Sequence, residues 1–268
     1  MKALSSVLRE SLMDDEDTIL KDASKNIKEQ IKQFLKANYR GASSCKISRK
    51  PDTDGKFIVD CNKGLKVINT ALTSLTNEYF KFGVVSGSFD CQSCKSLTSL
   101  EGAPREVGEF FNCNHCHSLV SLEGAPREVG EFFNCSHCHS LVSLEGAPRE
   151  VSEFFDCNFC RSLVSLEGAP KEVDGFNCEA CNSLTSLKGA PEKVSFFSCR
   201  HCKSLTSLEG APKEVDGFSC GNCKSLTSLK GAPEKVAQYF DCYDCKGAFT
   251  EDDVKRVSKV GGIIRWKE

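Results

Sequence analysis

The stretch VGEFFNCNHCHSLVSLEGAPRE, residues 107–128, recurs with small changes along most of the chain. Each copy carries a Cys-x-x-Cys pair, and successive pairs lie 22, 22, 22, 21, 21, 21 and 22 residues apart. A fixed period of this length is typical of a solenoid, in which a repeat buries its apolar side only against its neighbours. The pairs are Cys91 and Cys94, Cys113 and Cys116, Cys135 and Cys138, Cys157 and Cys160, Cys178 and Cys181, Cys199 and Cys202, Cys220 and Cys223, and Cys242 and Cys245.

The residues around each pair predict how one repeat folds. A Phe lies two residues before the first Cys in every copy, so Phe and Cys share one face of a period-two strand. In seven copies, Leu follows three residues after the second Cys, and Gly-Ala-Pro comes soon after it. Because Pro lacks a backbone donor and restricts the residue before it, the return should be irregular rather than helical. We predict one parallel strand and one short return per repeat, with buried Phe, Leu and Cys columns.

The motif F-x-C-x-x-C-x-x-L resembles the signature of leucine-rich repeats, with the second Cys in the position of the ladder residue. The short period is similar to that of bacterial members of the family. The consensus S-L-T-S-L-E-G-A-P-K-E-V resembles repeat sequences in proteins of bacteria and tailed phages. The resemblance implies parallel strands on a concave face that binds a partner. The repeats depart from the family in carrying Phe for Leu and in lacking the Asn that bonds neighbouring loops. Whether thiols, which are weak donors, can satisfy the same buried backbone groups is left open by the sequence.

Both flanks of the repeats are predicted to be caps. Residues 24–40 have helical apolar spacing before Gly41, a candidate C-cap, and residues 46–61 form two β-prone runs around a turn at residues 51–55. Residues 64–75 are a degenerate repeat. Thr250 should begin a short helix with Val254 and Val257 facing inward, and residues 262–266 a closing strand. The predicted organisation is a leader or helix (1–20), an α+β cap (21–83), the solenoid (84–246) and a C-terminal cap (247–268).

Two interpretations of the first dozen residues stay open. Leu4, Val7, Leu8 and Leu12 share one helical stripe, which is typical of a cap helix. The segment also resembles head-targeting leaders of tailed-phage internal proteins, which are cut after Leu-x-Glu, matched here by Leu8-Arg9-Glu10.

Composition narrows the classes of partner and compartment. The 268 residues include 35 Lys and Arg against 37 Asp and Glu, so net charge gives no sign of nucleic acid or a membrane surface as partner. No apolar run approaches the ~18 residues of a membrane span, and the N-terminus lacks the pattern of a secretory signal. We expect a cytoplasmic location in a bacterium or phage-infected cell, or a place in the virion.

The 18 cysteines admit three interpretations. The spacing fits tetrahedral zinc sites with four thiolate ligands each. Stacked cysteines could also form disulfides under oxidising conditions. We favour a buried column of reduced thiols, with no metal and no cofactor, because every repeat already supplies an apolar core and a stack requires the same residue at each level.

A cluster of aromatic and histidine side chains marks the second to fourth repeats. His115 and His137 precede the second Cys of adjacent repeats and should be neighbours on the strand side. Such a patch has the composition of a binding hot spot. The alternative is that the Phe residues merely pack where the strands begin, as Phe196 and Tyr239 would, and that the histidines reflect repeat duplication. The predicted partner-binding residues are Phe110, His115, His117, Phe132, His137, His139, Phe154 and Phe159.

No catalytic constellation is apparent in the sequence, so we expect a protein that is not an enzyme. The leading hypothesis is an interaction scaffold that binds a protein partner on its concave face, with neither nucleic acid nor membrane as partner. A zinc-binding structural protein and a virion component targeted by its leader are the alternatives. The sequence does not predict the identity of the partner or the oligomeric state.

Overall fold

The structure is a computed structural model that describes residues 2–267, with side chains described from residue 20. The chain is a parallel-strand β-solenoid of about ten turns with a helix at its N-terminal end, which confirms the predicted repeat solenoid. The apolar stripe Leu4 to Leu12 and the Leu8-Arg9-Glu10 match lie outside the described side chains.

The elements occur in the following order along the chain. They are α1 (Lys2–Asn38), β1 (Tyr39–Arg40), a 3-10 turn (Ala42–Ser44), β2 (Cys45–Ile47), β3 (Phe57–Cys61), β4 (Leu65–Val67), β5 (Phe80–Val85), β6 (Phe89–Asp90), β7 (Glu106–Val107), β8 (Phe111–Asn112), β9 (Glu128–Val129), β10 (Phe132–Asn134), β11 (Glu150–Val151), β12 (Phe154–Asp156), β13 (Glu172–Asn177), β14 (Lys193–Ser198), β15 (Glu214–Ser219), β16 (Lys235–Asp241), α2 (Glu251–Val257), β17 (Lys259–Val260) and β18 (Ile263–Arg265).

The strands form two sheets along the solenoid. The larger runs β1-β4-β6-β8-β10-β12-β13-β14-β15-β16-β17, with β18 also on β16, and carries the core Phe residues that precede the Cys-x-x-Cys pairs. The smaller runs β11-β9-β7-β5-β3-β2 and carries Val107, Val129 and Val151 of the second to fourth repeats. Apart from β1 with β4 and β2 with β3, which are antiparallel, neighbouring strands pair in parallel. The second to fourth repeats therefore each supply a Phe strand and a Val strand, where the sequence predicted only one strand.

The period of the repeat decides whether these two strands fuse. In the second to fourth repeats three residues separate Val from the core Phe, as between Val107 and Phe111, and two short strands result. In the next three repeats only two residues intervene, and β13, β14 and β15 are continuous six-residue strands. The final repeat regains the extra residue, and β16 absorbs it as a register shift opposite Val215 and Gly217.

The core consists of stacked columns of identical residues. Phe89 to Phe218 form a stack of seven rings whose successive centroids lie 5.0 to 5.7 Å apart and whose planes differ by at most 17°. The two Cys columns and two Leu columns are likewise buried. Each ring stacks only on the equivalent rings of the neighbouring turns, which is why one repeat could not bury it alone.

The second cysteines form a hydrogen-bonded ladder, which answers how the repeat manages without Asn. Seven of these thiols each donate to the carbonyl of the first cysteine one turn earlier, at 3.2 to 3.3 Å. Buried carbonyls need a donor, so the ladder satisfies groups that would otherwise destabilise the stack. All 16 cysteines of the repeats are buried, and burial raises the pKa of the Cys94 thiol to about 12.

The N-terminal cap closes both sheets. Ile31 and Leu35 of α1 are buried, β1 pairs with β4, and the hairpin of β2 and β3 covers the edge of the smaller sheet. The predicted turn is present, with Asp52 Oδ1 accepting from the N–H groups of Asp54 and Lys56 at 3.0 Å. The predicted C-cap was wrong: α1 ends at Asn38, and Gly41, at φ 94°, precedes the 3-10 turn instead.

The C-terminal cap begins with the predicted helix. Thr250 and Asp253 form a reciprocal capping box at the start of α2, and Val254 is fully buried. Val257 was expected to face inward and is instead 40% exposed, because α2 ends there and the chain turns into β17. The predicted closing strand is β18, which lies beside β16.

None of the helices in the described part of the chain is both long enough and apolar enough to cross a membrane.

Candidate functional site

One outward-facing row of the larger sheet is rich in aromatic residues. Strand register aligns Phe132 with Phe154, Phe154 with Gly175, Gly175 with Phe196, Phe196 with Gly217, and Gly217 with Tyr239. We call Phe132, Phe154, Phe196 and Tyr239 the aromatic column. It lies on the sheet face opposite the core, because the residue following each of these aromatics belongs to the buried Phe stack.

The aromatic column is exposed to an unusual degree for such large apolar side chains. Phe132, Phe154 and Phe196 are 41%, 43% and 36% exposed. Phe132 stacks on Phe154 at 5.7 Å between ring centroids, and Phe196 on Tyr239 at 6.5 Å. Together the four rings line an open groove of about 470 Å³.

Glycines make the groove possible. A side chain at Gly175 would overlap the ring of Phe154, and one at Gly217 would approach Tyr239 Cε1 to 2.5 Å. Because neither glycine has a side chain, the ring of the neighbouring strand lies directly over its backbone. Residues 174–176 and 216–218 read D-G-F where the second to fourth repeats read E-F-F, and this difference shapes the groove.

Polar residues form the other side of the groove. Asn134, Asp156 and Asn177 follow the core Phe residues, and each accepts a hydrogen bond through Oδ1 from the N–H two residues later, at 2.9 to 3.0 Å. These Asx turns direct the chain into the Cys-x-x-Cys segment. Glu179 also lies here, accepting from the Ser198 hydroxyl at 2.7 Å. Burial raises the pKa of Asp156, and the nearby charge of Glu179 adds to the effect.

Arginines occupy the same face near its C-terminal end. The Arg265 guanidinium lies 5.8 Å from the ring centroid of Tyr239, and that of Arg200 lies 5.2 Å from Tyr243 and donates to its hydroxyl. Both positive charges lower the pKa of Asp241, against the larger raising effect of its burial. In this part of the face, the aromatic rings and the carboxylate are thus accompanied by guanidinium groups of the same chain.

The histidines form a separate cluster at the turn that follows the strands. His115 stacks on His137 at 4.4 Å, and His137 on Phe159 at 4.6 Å. His117 and His139 stack at 4.9 Å. His115 and His137 are neighbours in adjacent repeats, as the repeat spacing predicts. We call these four histidines with Phe159 the histidine cluster.

The geometry of the histidine cluster follows from its backbone. The residue before each second cysteine has positive φ, between 54° and 63°, which includes His115, His137 and Phe159. Asn, Asp and His tolerate this region, whereas a bulky Phe rarely adopts it. His117 and His139 are oriented by Nδ1 contacts of 3.0 and 3.1 Å to the carbonyls of His137 and Phe159. Burial, followed by the charge of neighbouring histidines, lowers the pKa of His137.

The structure thus divides the predicted binding residues into two groups. Phe132 and Phe154 belong to the groove, and the histidines and Phe159 belong to the histidine cluster. Phe110 is 39% exposed on the same side but does not line the groove. Sequence reasoning missed Asp156, Asn177, Glu179 and Ser198, and it assigned Phe196 and Tyr239 only to packing. The D-G-F substitutions were the available signal for the groove.

The cysteines do not converge on a common point. Within residues 20–267, no three Cys, His, Asp or Glu side chains are arranged so that they could hold a metal ion. Cys45 and Cys61, which lie outside the repeats, form a disulfide between β2 and β3. The zinc hypothesis stays a prediction from spacing alone. No protein-family model, curated protein or solved structure matches the chain.

Proposed function

We propose that this protein is a non-enzymatic interaction scaffold that binds a polypeptide partner on the outward face of its larger sheet. The observation that carries the proposal is the groove lined by the aromatic column, in which three Phe side chains are each more than a third exposed. Burying such rings against a partner would contribute more binding energy than any other exposed contact of this face, since aromatic anchors in pockets are typical hot spots.

The backbone beneath the groove supports this function because it is preorganised. The column stands on parallel strands whose other side packs into the Phe and Cys stacks, so the rings are positioned before a partner arrives. A binding surface that is already ordered loses less conformational entropy on association. The histidine cluster, with Phe159 held at φ 54° and 38% exposed, offers a second contact at the turn.

Selection from a phage-displayed random dodecapeptide library on the purified protein tests the proposal. The groove variant combines Phe154→Ser with Phe196→Ser. The control combines Val142→Ser with Val164→Ser, which removes two exposed apolar side chains outside the groove. We expect selected peptides to bind wild type and control equally and the groove variant at least about tenfold more weakly, which corresponds to about 1.4 kcal/mol.

The proposal is wrong if no peptide is enriched or if the enriched peptides bind the groove variant as well as wild type. Circular dichroism and thermal unfolding of each variant check that the solenoid is intact. A further variant, His137→Ala with Phe159→Ala, measures the contribution of the histidine cluster, which we expect to be smaller than that of the groove.

We also infer a kinship with the short leucine-rich repeats of bacteria and tailed phages. It is supported by the parallel pairing of the Phe strands from one motif to the next and by the second Cys, which donates to a neighbouring turn from the ladder position of F-x-C-x-x-C-x-x-L. Replacing a ladder Cys with Asn, the residue that the family uses there, tests this kinship.

A further inference from the structure

The groove has one section in which aromatic rings and carboxylates meet without a cation. Phe154 and Asp156 lie two residues apart on β12 and face the same side, and Phe196 and Ser198 do so on β14. The side chain of Glu179 reaches this section through its hydrogen bond with Ser198. In the described part of the chain neither Asp156 nor Glu179 makes a salt bridge.

In the C-terminal section of the same face, aromatic rings and a carboxylate are accompanied by arginine side chains. There Arg265 lies over Tyr239 and Arg200 over Tyr243, with Asp241 close enough for both charges to act on it. Arg200 follows Glu179 by one turn, yet its guanidinium is directed to the Tyr243 hydroxyl and forms no salt bridge with Glu179. The section between Phe154 and Phe196 has the rings and the carboxylates but no guanidinium.

We infer that the groove section formed by Phe154, Phe196, Asp156 and Glu179 binds a cationic side chain, Arg or Lys, presented by the partner protein. This inference rests on the proposed function and names the chemistry of the ligand. A cation over an aromatic face is attracted by the ring quadrupole, and the attraction increases when water is excluded. A carboxylate at the end of the same groove accepts charge-assisted hydrogen bonds from it.

The state of Asp156 agrees with this assignment. Asp156 is half-buried, and its pKa is raised by this burial and further by the neighbouring charge of Glu179. A carboxylate that is partly desolvated and repelled by a neighbouring negative charge is unfavourable, and a bound cation would relieve both effects. Binding should therefore lower the pKa of Asp156.

Substitutions that the chain itself suggests provide the test. Asn occupies the position of Asp156 in three other repeats, at Asn112, Asn134 and Asn177, and makes the same Asx turn in each of them. Asp156→Asn with Glu179→Gln therefore removes two charges while keeping the hydrogen-bond acceptors. The control, Asp174→Asn with Asp216→Asn, removes the same charge from residues that line a different hollow.

The probe is N-acetyl-arginine methylamide, titrated into the full-length protein and followed by NMR of the Gly175 amide and the Phe154 and Phe196 rings. The neutral N-acetyl-citrulline methylamide is the matched ligand. We expect saturable shifts with the arginine probe, at least fivefold weaker binding in Asp156→Asn/Glu179→Gln, and unchanged binding in the control. Raising NaCl from 50 to 500 mM should weaken binding.

Equal shifts with the citrulline probe, or unchanged affinity in Asp156→Asn/Glu179→Gln, would overturn the inference. The dodecapeptide selection separates this failure from failure of the proposed function. Peptides that require Phe154 and Phe196 but show no enrichment of Arg or Lys would leave the scaffold standing and reject the cationic ligand. If Arg or Lys is enriched, and this enrichment is lost when the selection is repeated on Asp156→Asn/Glu179→Gln, both the scaffold function and the cationic ligand are supported.

Discussion

The thiol of Cys138 donates a hydrogen bond to the backbone carbonyl of Cys113, one turn earlier, across 3.3 Å. The same relationship links six other pairs, so the ladder is a property of the repeat rather than of one turn. Sulfur is a weak donor, yet a weak hydrogen bond in a fully buried site still avoids the desolvation penalty of an unpaired carbonyl.

We predict that Cys138→Ala lowers the free energy of unfolding by about 1–3 kcal/mol, because it leaves the Cys113 carbonyl without this donor. Cys138→Asn should be less destabilising, since the amide can donate from the ladder position. Urea unfolding followed by circular dichroism measures both. Cys135→Asn is the control: it places an amide among core residues, and it should cost more than Cys138→Asn. Equal losses for the two Asn variants would contradict a ladder role.

The cysteines should behave as 16 protected thiols and one disulfide. We expect a thiol reagent to leave the native protein unmodified, to label 16 thiols after denaturation, and to label two more after reduction. Elemental analysis should find no stoichiometric zinc, and a chelator should not change the melting temperature. About one zinc for every four cysteines would instead establish the metal-binding alternative.

Alkaline pH should destabilise the fold. Burial raises the pKa of Cys94 and of Cys242 to about 12, whereas an unfolded thiol titrates near ~8.5. The unfolded state loses protons first, so this contribution to stability is complete below about pH 8.5 and falls as pH rises towards 12. Thiolate absorbance near 240 nm provides a direct measurement: at pH 10 it should be much larger in urea than in the native protein, where hydrogen bonds lower the pKa of Cys116 and Cys245 but burial raises that of Cys94 and Cys242.

Acid should destabilise the turns that carry the histidine cluster. Burial and the charges of His115, His117 and Arg161 lower the pKa of His137, and burial lowers that of His139. A lowered pKa means that the unfolded state binds protons first, so stability is lost as pH falls below about 6.5. His137→Gln with His139→Gln should flatten the dependence of unfolding free energy on pH between 7.5 and 5.5. An unchanged slope would contradict this.

The glycines of the returns should be intolerant of any side chain. Gly146, at φ 84°, would place a Cβ 2.5 Å from the Glu123 nitrogen of the preceding turn, whereas Gly55, at φ 74°, has open space around it. Gly55→Ala should therefore cost only the backbone strain, about 1–2 kcal/mol. Gly146→Ala adds a clash with backbone and should cost clearly more, by urea unfolding. Similar losses for the two variants would show that strain alone matters.

The sequence by itself determined that the chain is a repeat solenoid, although it did not predict the second strand of the second to fourth repeats. A constant spacing of Phe, Cys and Leu fixes which residues stack, because identical residues at each level are the only way in which such short units can share a core. The capping helix at Thr250 and the turn at Asp52 were equally predictable, since both depend on local hydrogen bonds. The absence of Asn from the ladder position is visible in the sequence, whereas the thiol hydrogen bonds that replace it are visible only in the structure.

Only the tertiary structure decided what the outward face is. The sequence does not distinguish the exposed rings of Phe154 and Phe196 from rings that pack in the core. Their separation from the histidine cluster depends on where the chain turns after each strand. The groove arises because Gly175 aligns between them, and its carboxylates come from residues that are unremarkable within their own repeats. Periodicity records what every turn has in common, whereas a binding site is made by differences between turns that only strand register brings together.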